Sequence, residues 1–217
     1  GLGDVYKRQR LTYVSVRCRK CQPCQDHRQR VWTARAIDEI GMAERSWFVT
    51  LTFRPDVRFT LECQADNASR RRRAERLSDL NSTDRYRAIT AHAGQAVTLW
   101  LKRLRKVSKA KLRYLLVTEA HKDGFPHFHL VLHEVAGTVT KRDIEQAWRR
   151  NGFSHCRLID RHDGKAAYYA CKYLNKSALT RVRASLRYGQ MRTQLISDAA
   201  ACIARRLDAD DGPVLDD

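Results

Sequence analysis

The chain has 217 residues, 43% of them apolar, and carries 42 Lys and Arg against 24 Asp and Glu, a formal charge of +18. That length suits one domain with a buried core, and the charge points to a polyanionic partner: nucleic acid rather than lipid, since no basic amphipathic segment has a membrane-seeking face. There is no apolar run of 18 residues and no signal-peptide core, so no membrane is expected, and seven unevenly spread cysteines fit a reducing compartment better than a secreted disulfide framework.

In chain order, residues 1–9 begin without Met and show no usable pattern, so an ill-defined end is expected there. Cys18-x-x-Cys21-x-x-Cys24-x-x-His27 follows, four potential metal ligands at three-residue steps. Structural zinc normally uses two separated ligand pairs, and an iron–sulfur run of this kind would need a fourth cysteine. Cys63, Cys156, Cys171 or Cys202 is available as a remote ligand. The alternative is a set of reduced thiols in a loop, with Pro23 breaking any helix. Residues 28–39 predict a helix ending at Gly41.

Residues 46–53 are aromatic and β-branched, apolar on both faces near the centre, and predict an interior strand stopped by Arg54-Pro55. Residues 56–82 read as polar and irregular, with Arg70, Arg71, Arg72 and Arg73 as a run that can touch phosphates or simply face solvent. A helix is predicted over 83–107. Its apolar stripe is Ala93, Val97, Trp100, Leu104 and Val107, and Lys102, Arg103, Arg105 and Lys106 make a basic side facing solvent or DNA.

A strand over 112–119 and a turn with Asp123-Gly124 at its tip lead into Phe125-Pro-His-Phe-His-Leu-Val-Leu-His133, which reads as the returning strand of a hairpin. Side chains two apart on a strand point the same way, about 6.6–6.8 Å apart. His127 and His129 therefore share a face, and Glu119 on the neighbouring strand can join them around one cation. His121 is an alternative third ligand, and two strand histidines also occur as plain polar surface. Thr140-x-x-Asp143 predicts a capped helix ending at Asn151-Gly152; residues 153–159 predict a strand, and residues 165–178 a helix. The last ten residues read as a mobile acidic tail.

On a wheel of about 100° per residue, with Tyr169 at zero, Tyr173 lies near +40°, Lys176 near −20° and Lys172 near −60°. Two phenols and two ammonium groups thus share one arc, while Ala167, Ala170, Cys171 and Leu174 share the other; Tyr168 lies near −100°. Such tyrosines commonly cover the edge of a core. Beside a cation, however, a phenolate forms more easily and becomes a nucleophile for phosphorus.

The element order predicts an α+β fold of the split β-α-β type, a ferredoxin- or RRM-like palm with an antiparallel sheet and helices on one face. These residues resemble the HUH endonucleases that initiate rolling-circle replication, and most of all the initiators of microviruses. The similarity spans roughly residues 15–178. It rests on the Cys18-x-x-Cys21-x-x-Cys24 region, Phe48-Val-Thr-Leu-Thr-Phe53, Leu101-Lys-Arg-Leu-Arg-Lys106, Glu119, Pro126-His-Phe-His129 and Tyr169-Ala-Cys-Lys-Tyr-Leu-Asn-Lys176.

The resemblance implies a metal-dependent nick in single-stranded origin DNA. Tyr169 or Tyr173 would take the 5′ phosphate, and Mg²⁺ or Mn²⁺ would sit on His127, His129 and Glu119. It also implies a bacterial host cytoplasm, with host polymerase and, because no Gly-x-x-x-x-Gly-Lys-Ser/Thr motif occurs, host helicase as partners. Zn²⁺ or an iron–sulfur cluster would occupy the cysteine site. The expected organisation is a cysteine-containing extension (1–45), an HUH domain (46–178) and a basic-then-acidic tail (179–217). Competing readings are a plasmid initiator, relaxase or transposase of the same superfamily, a non-catalytic basic binder with a metal-stabilised cysteine cluster, and a zinc hydrolase.

Overall fold

The computed structural model describes residues 18, 20–121, 123–160, 165–172 and 180–190. Tyr173, Lys176 and Cys202, the expected end of the helix at 178, the expected ill-defined start 1–9 and the expected acidic tail 208–217 lie outside the described residues.

Strands β1 (Arg45–Phe53), β2 (Lys111–Ala120), β3 (Pro126–Ala136), β4 (Gly152–Ile159) and β5 (Arg181–Ala184) form one sheet in the order β4-β1-β3-β2-β5. Every neighbouring pair is antiparallel. The first four strands give the split β-α-β pattern, with β3 inserted between β1 and β2. β1 is interior, as its two apolar faces predict.

Side-chain alternation divides the core in two. Trp47, Val49, Leu51 and Phe53 of β1 join Phe128, Leu130 and Leu132 of β3 beneath three helices: α2 (Pro55–Arg73), α3 (Ser82–Ser108) and α4 (Lys141–Trp148). On the opposite face Phe48, Leu115, Val117 and Val131 pack with α1 (Gln22–Met42) and α5 (Lys165–Cys171). Helices therefore lie on both faces, where the sequence suggested one. That second layer covers part of the face to which His127 and His129 belong.

Three local expectations change. α1 begins at Gln22, with Pro23 inside its first turn, where a missing N–H costs nothing, and runs through Gly41 to Met42. The stretch read as irregular contains α2, opened by Pro55 and anchored by a thin stripe of Leu61, Ala65 and Ser69, followed by a 3₁₀ turn at Leu77–Asp79. β5 adds a strand beyond the expected domain end, and the guanidinium of its Arg183 donates to Gly94 O and Thr98 Oγ1 on α3. The α3 stripe is buried as expected except for Val107, which is two-thirds exposed.

Two ion pairs to buried carboxylates tie elements together, one between α1 and the sheet and one between β1 and β3. Arg113 on β2 donates twice to the fully buried Glu39 of α1, at 2.6 and 2.8 Å. Arg45 donates to Glu134, which also accepts from the Trp47 indole and the Val139 amide.

Candidate metal centre and nucleophile

The β2–β3 hairpin builds the site by register. Its turn closes through His121 N–H to Phe125 O and Gly124 N–H to His121 O, with Gly124 at φ +78°, which a residue without Cβ adopts freely. Glu119 then pairs directly with His127, and Val117 with His129. The two imidazole rings lie 4.8 Å apart, centroid to centroid, and Glu119 Oε2 is 3.4 Å from His129 Nε2.

β1 supplies the support. Thr50 Oγ1 lies 3.3 Å from His129 Nδ1, and Thr52 Oγ1 lies 3.4 Å from His127 Nδ1. With Nδ1 engaged by a hydroxyl, Nε2 is the atom each ring would present to a cation. Burial pushes the His127 pKa down, helped by His121 and Arg58 and opposed by Asp123. His127 is therefore neutral at neutral pH, the form that ligates. His121 stands at the hairpin tip, its ring 5.9 Å from His127 and its Nδ1 3.3 Å from Asp123 Oδ1. His133 shares the face but is fully buried between Ser46 Oγ and Tyr188 Oη. Burial, helped by Arg113, holds its pKa at about 3, and with 0% exposure the ring is closed to solvent.

The tyrosine helix lies on the same side. Phe48 stacks on His129 with centroids 6.1 Å apart, and Tyr169 meets Phe48 edge to face at 5.3 Å. Ala167, Ala170 and Cys171 are fully buried, the packing arc the wheel predicts, while Tyr169 is 40% exposed. Lys172 Nζ sits 3.5 Å from the centroid of the Tyr169 ring. Tyr168, also exposed, points elsewhere on the wheel.

The cysteine region forms a second cluster. Cys18 Sγ is 3.2 Å from Cys21 Sγ and 3.8 Å from Cys24 Sγ, and it accepts the Cys21 N–H. Backbone N–H groups of Cys21 and Lys20 draw its pKa down to about 6, while the hydrogen bond Cys21 makes to Cys18 raises the Cys21 pKa. Among the described residues, these three are the group whose ligand atoms all lie within 4.8 Å of one another; His27, one turn along α1, is not in it. Nor do the other described cysteines join. Cys63 is exposed on α2, Cys156 is buried in the core beneath α2, α3 and α4, and Cys171 is buried with its pKa pushed up to about 11. His127, His129 and Glu119 are neighbours but less tightly closed.

The basic residues expected to bind DNA lie away from the histidine face. Lys102 and Lys106 are exposed on α3, whereas Arg103 donates to Ala147 O and Arg105 to Leu112 O. Arg70, Arg71, Arg72 and Arg73 end α2 in the same helical layer, with Arg70 paired to Asp66. Sequence reasoning counted Phe48-Val-Thr-Leu-Thr-Phe53 in the resemblance but missed what Phe48, Thr50 and Thr52 do in the site, and it missed Arg157, whose guanidinium lies 5.7 Å from the Phe48 ring centroid. The alternation Thr50-x-Thr52 opposite His-x-His is the signal, and it becomes legible once β1 is paired with β3.

Comparison with known proteins adds one finding. The family model for the replication-associated protein ORF2 matches residues 46–178, more than half of the chain. No curated protein and no solved structure is a match. Among the described residues, no helix is long and apolar enough to cross a membrane.

Proposed function

The chain belongs to the replication-associated protein ORF2 family, a family of rolling-circle replication initiators, and from that premise we propose that it nicks and rejoins single-stranded origin DNA through a phosphotyrosine intermediate. The observation that carries this is convergence: Phe48 bridges His129 and Tyr169 on one face of the sheet.

Two imidazoles and one carboxylate form a donor set that suits Mg²⁺ or Mn²⁺ with positions left for substrate oxygens. His127, His129 and Glu119 would hold the ion, supported by the Glu119–His129 contact and the threonine hydroxyls behind the rings. When bound, it would polarise a phosphodiester oxygen and stabilise charge in an in-line displacement.

The Tyr169 oxygen attacks the scissile phosphorus as a phenolate. The P–O3′ bond breaks, the 3′ oxygen leaves and takes up a proton, and the 5′ phosphate stays on the tyrosine. The Lys172 amino group sits over the Tyr169 ring, where it can hold a neighbouring phosphate. Because a phosphodiester is exchanged for a phosphodiester, a 3′ hydroxyl can later reverse the step and join the strand. Tyr173, four residues on in the sequence, would perform the second cut, with Lys176 assisting it.

The cysteine cluster takes a different metal. Three thiols within one ligand sphere, with His27 available as a fourth donor, suit structural Zn²⁺ better than an iron–sulfur cluster, which would need another cysteine. A microvirus source, a bacterial host cytoplasm, and helicase and polymerase from the host complete the proposal. The test is incubation of circular single-stranded origin DNA with the protein and Mn²⁺. Conversion to a linear strand that depends on the metal supports nicking; binding without any cleavage would leave a basic DNA binder.

A further inference from the structure

β4 is an edge strand, and half of it faces the site. Its register with β1 pairs Phe153 with Thr52, His155 with Thr50 and Arg157 with Phe48. Thr52 and Thr50 back the two histidines, and Phe48 touches Tyr169. Phe153, His155 and Arg157 therefore form a row parallel to the catalytic row, one strand over, at steps of about 6.6–6.8 Å. At one end the row is closed by Ile159, which is buried under the α1/α5 layer. At the other it opens to Phe153, which is 68% exposed.

A phenyl ring standing out of a sheet beside an imidazole and a guanidinium has a chemistry in common with its neighbours. All three present flat faces on which unstacked bases rest, and the guanidinium also holds phosphate. Duplex DNA keeps its bases stacked inward and cannot use such a row. The Leu158 side chain, on the other face of the strand, and Phe59, on α2, are also exposed but lack this company.

We propose that Phe153, His155 and Arg157 form a stacking track that holds the single-stranded DNA flanking the scissile phosphate, feeding it across β1 to Tyr169. The track rests on the nicking function proposed above, but it is tested by binding alone. Fluorescence anisotropy with a labelled oligothymidylate, in the absence of Mn²⁺, would compare wild-type protein with Phe153→Ala, Phe153→Tyr, Arg157→Ala and Phe59→Ala, each checked for unchanged thermal unfolding.

Phe153→Ala should weaken single-strand binding about 5- to 150-fold with an unchanged salt slope, because a stacking contact releases no counterion. Phe153→Tyr should restore it. Arg157→Ala should lower the salt slope by about 0.7, the share of one phosphate contact on a single strand. Phe59→Ala should match wild type, and a duplex of equal length should not register the loss of Phe153. The track is overturned if Phe153→Ala binds like Phe59→Ala, or if it loses duplex binding to the same extent. A protein that forms no covalent DNA adduct yet shows the Phe153 effect would retain the track and lose the nicking function; the reverse result would do the opposite.

Discussion

The ring of Tyr169 meets the ring of Phe48 edge to face, centroids 5.3 Å apart, and the Phe48 ring also stacks on His129. A buried phenyl group, 4% exposed, thus sets the spacing between the proposed nucleophile and the proposed metal ligands. Phe48→Leu keeps the site apolar and is smaller by about one methylene, so it should cost about 1–2 kcal/mol of stability. It removes the spacer, however, and should slow nicking about 10- to 100-fold with little change in single-strand binding. Equal loss of both in urea-checked, folded protein would mean that Phe48 is only core.

Thr50 and Thr52 touch Nδ1 of the two histidines. Thr50→Val or Thr52→Val keeps the β-branched shape and removes the hydroxyl, freeing the ring to turn. Mn²⁺ affinity, measured by calorimetry or electron paramagnetic resonance, should fall about 10- to 100-fold. Unchanged affinity would place the cation elsewhere.

The sequence made the hairpin legible because one short stretch carried three agreeing signals: apolar alternation, the Asp123-Gly124 turn and the His-x-His pair. It made α5's packing arc legible because Ala167, Ala170 and Cys171 are small and periodic. It hid α2, whose buried stripe of Leu61, Ala65 and Ser69 is too thin and too weakly apolar to stand out among arginines. It hid β5, only four residues long and half arginine. The supporting threonines were hidden for another reason. Their partners lie far along the chain, and only the β1–β3 register brings them together.

Cys18, Cys21 and Cys24 gather at the start of α1. Protein isolated under reducing conditions should carry about one zinc per chain by elemental analysis. The triple Cys→Ser variant should lose it while Mn²⁺ affinity at the histidines stays unchanged. Iron with labile sulfide, or a disulfide and no metal, would refute the zinc assignment.

His133 is buried between Ser46 and Tyr188, with a folded pKa of about 3 against an ordinary value of 6.5. Below the ordinary value the unfolded chain binds a proton that the native state refuses. Stability from this group is therefore full above about pH 6.5 and falls by up to about 1.4 kcal/mol per pH unit as the pH drops toward 3. His127, also depressed, adds to the same trend in metal-free protein. His133→Gln should start less stable but show a flatter dependence between pH 6.5 and 4 in urea titrations. Parallel curves for the two proteins would contradict the assignment.

The most direct test of the central claim is mass spectrometry of peptides after reaction with origin DNA and Mn²⁺. The expected result is a nucleotide joined through its 5′ phosphate to Tyr169 or Tyr173, with the Tyr169→Phe, Tyr173→Phe double variant losing the adduct and slowing nicking on the order of 10³-fold or more while still binding DNA. Nicking at the wild-type rate by that double variant, or cleavage that leaves no protein-linked nucleotide, would contradict it.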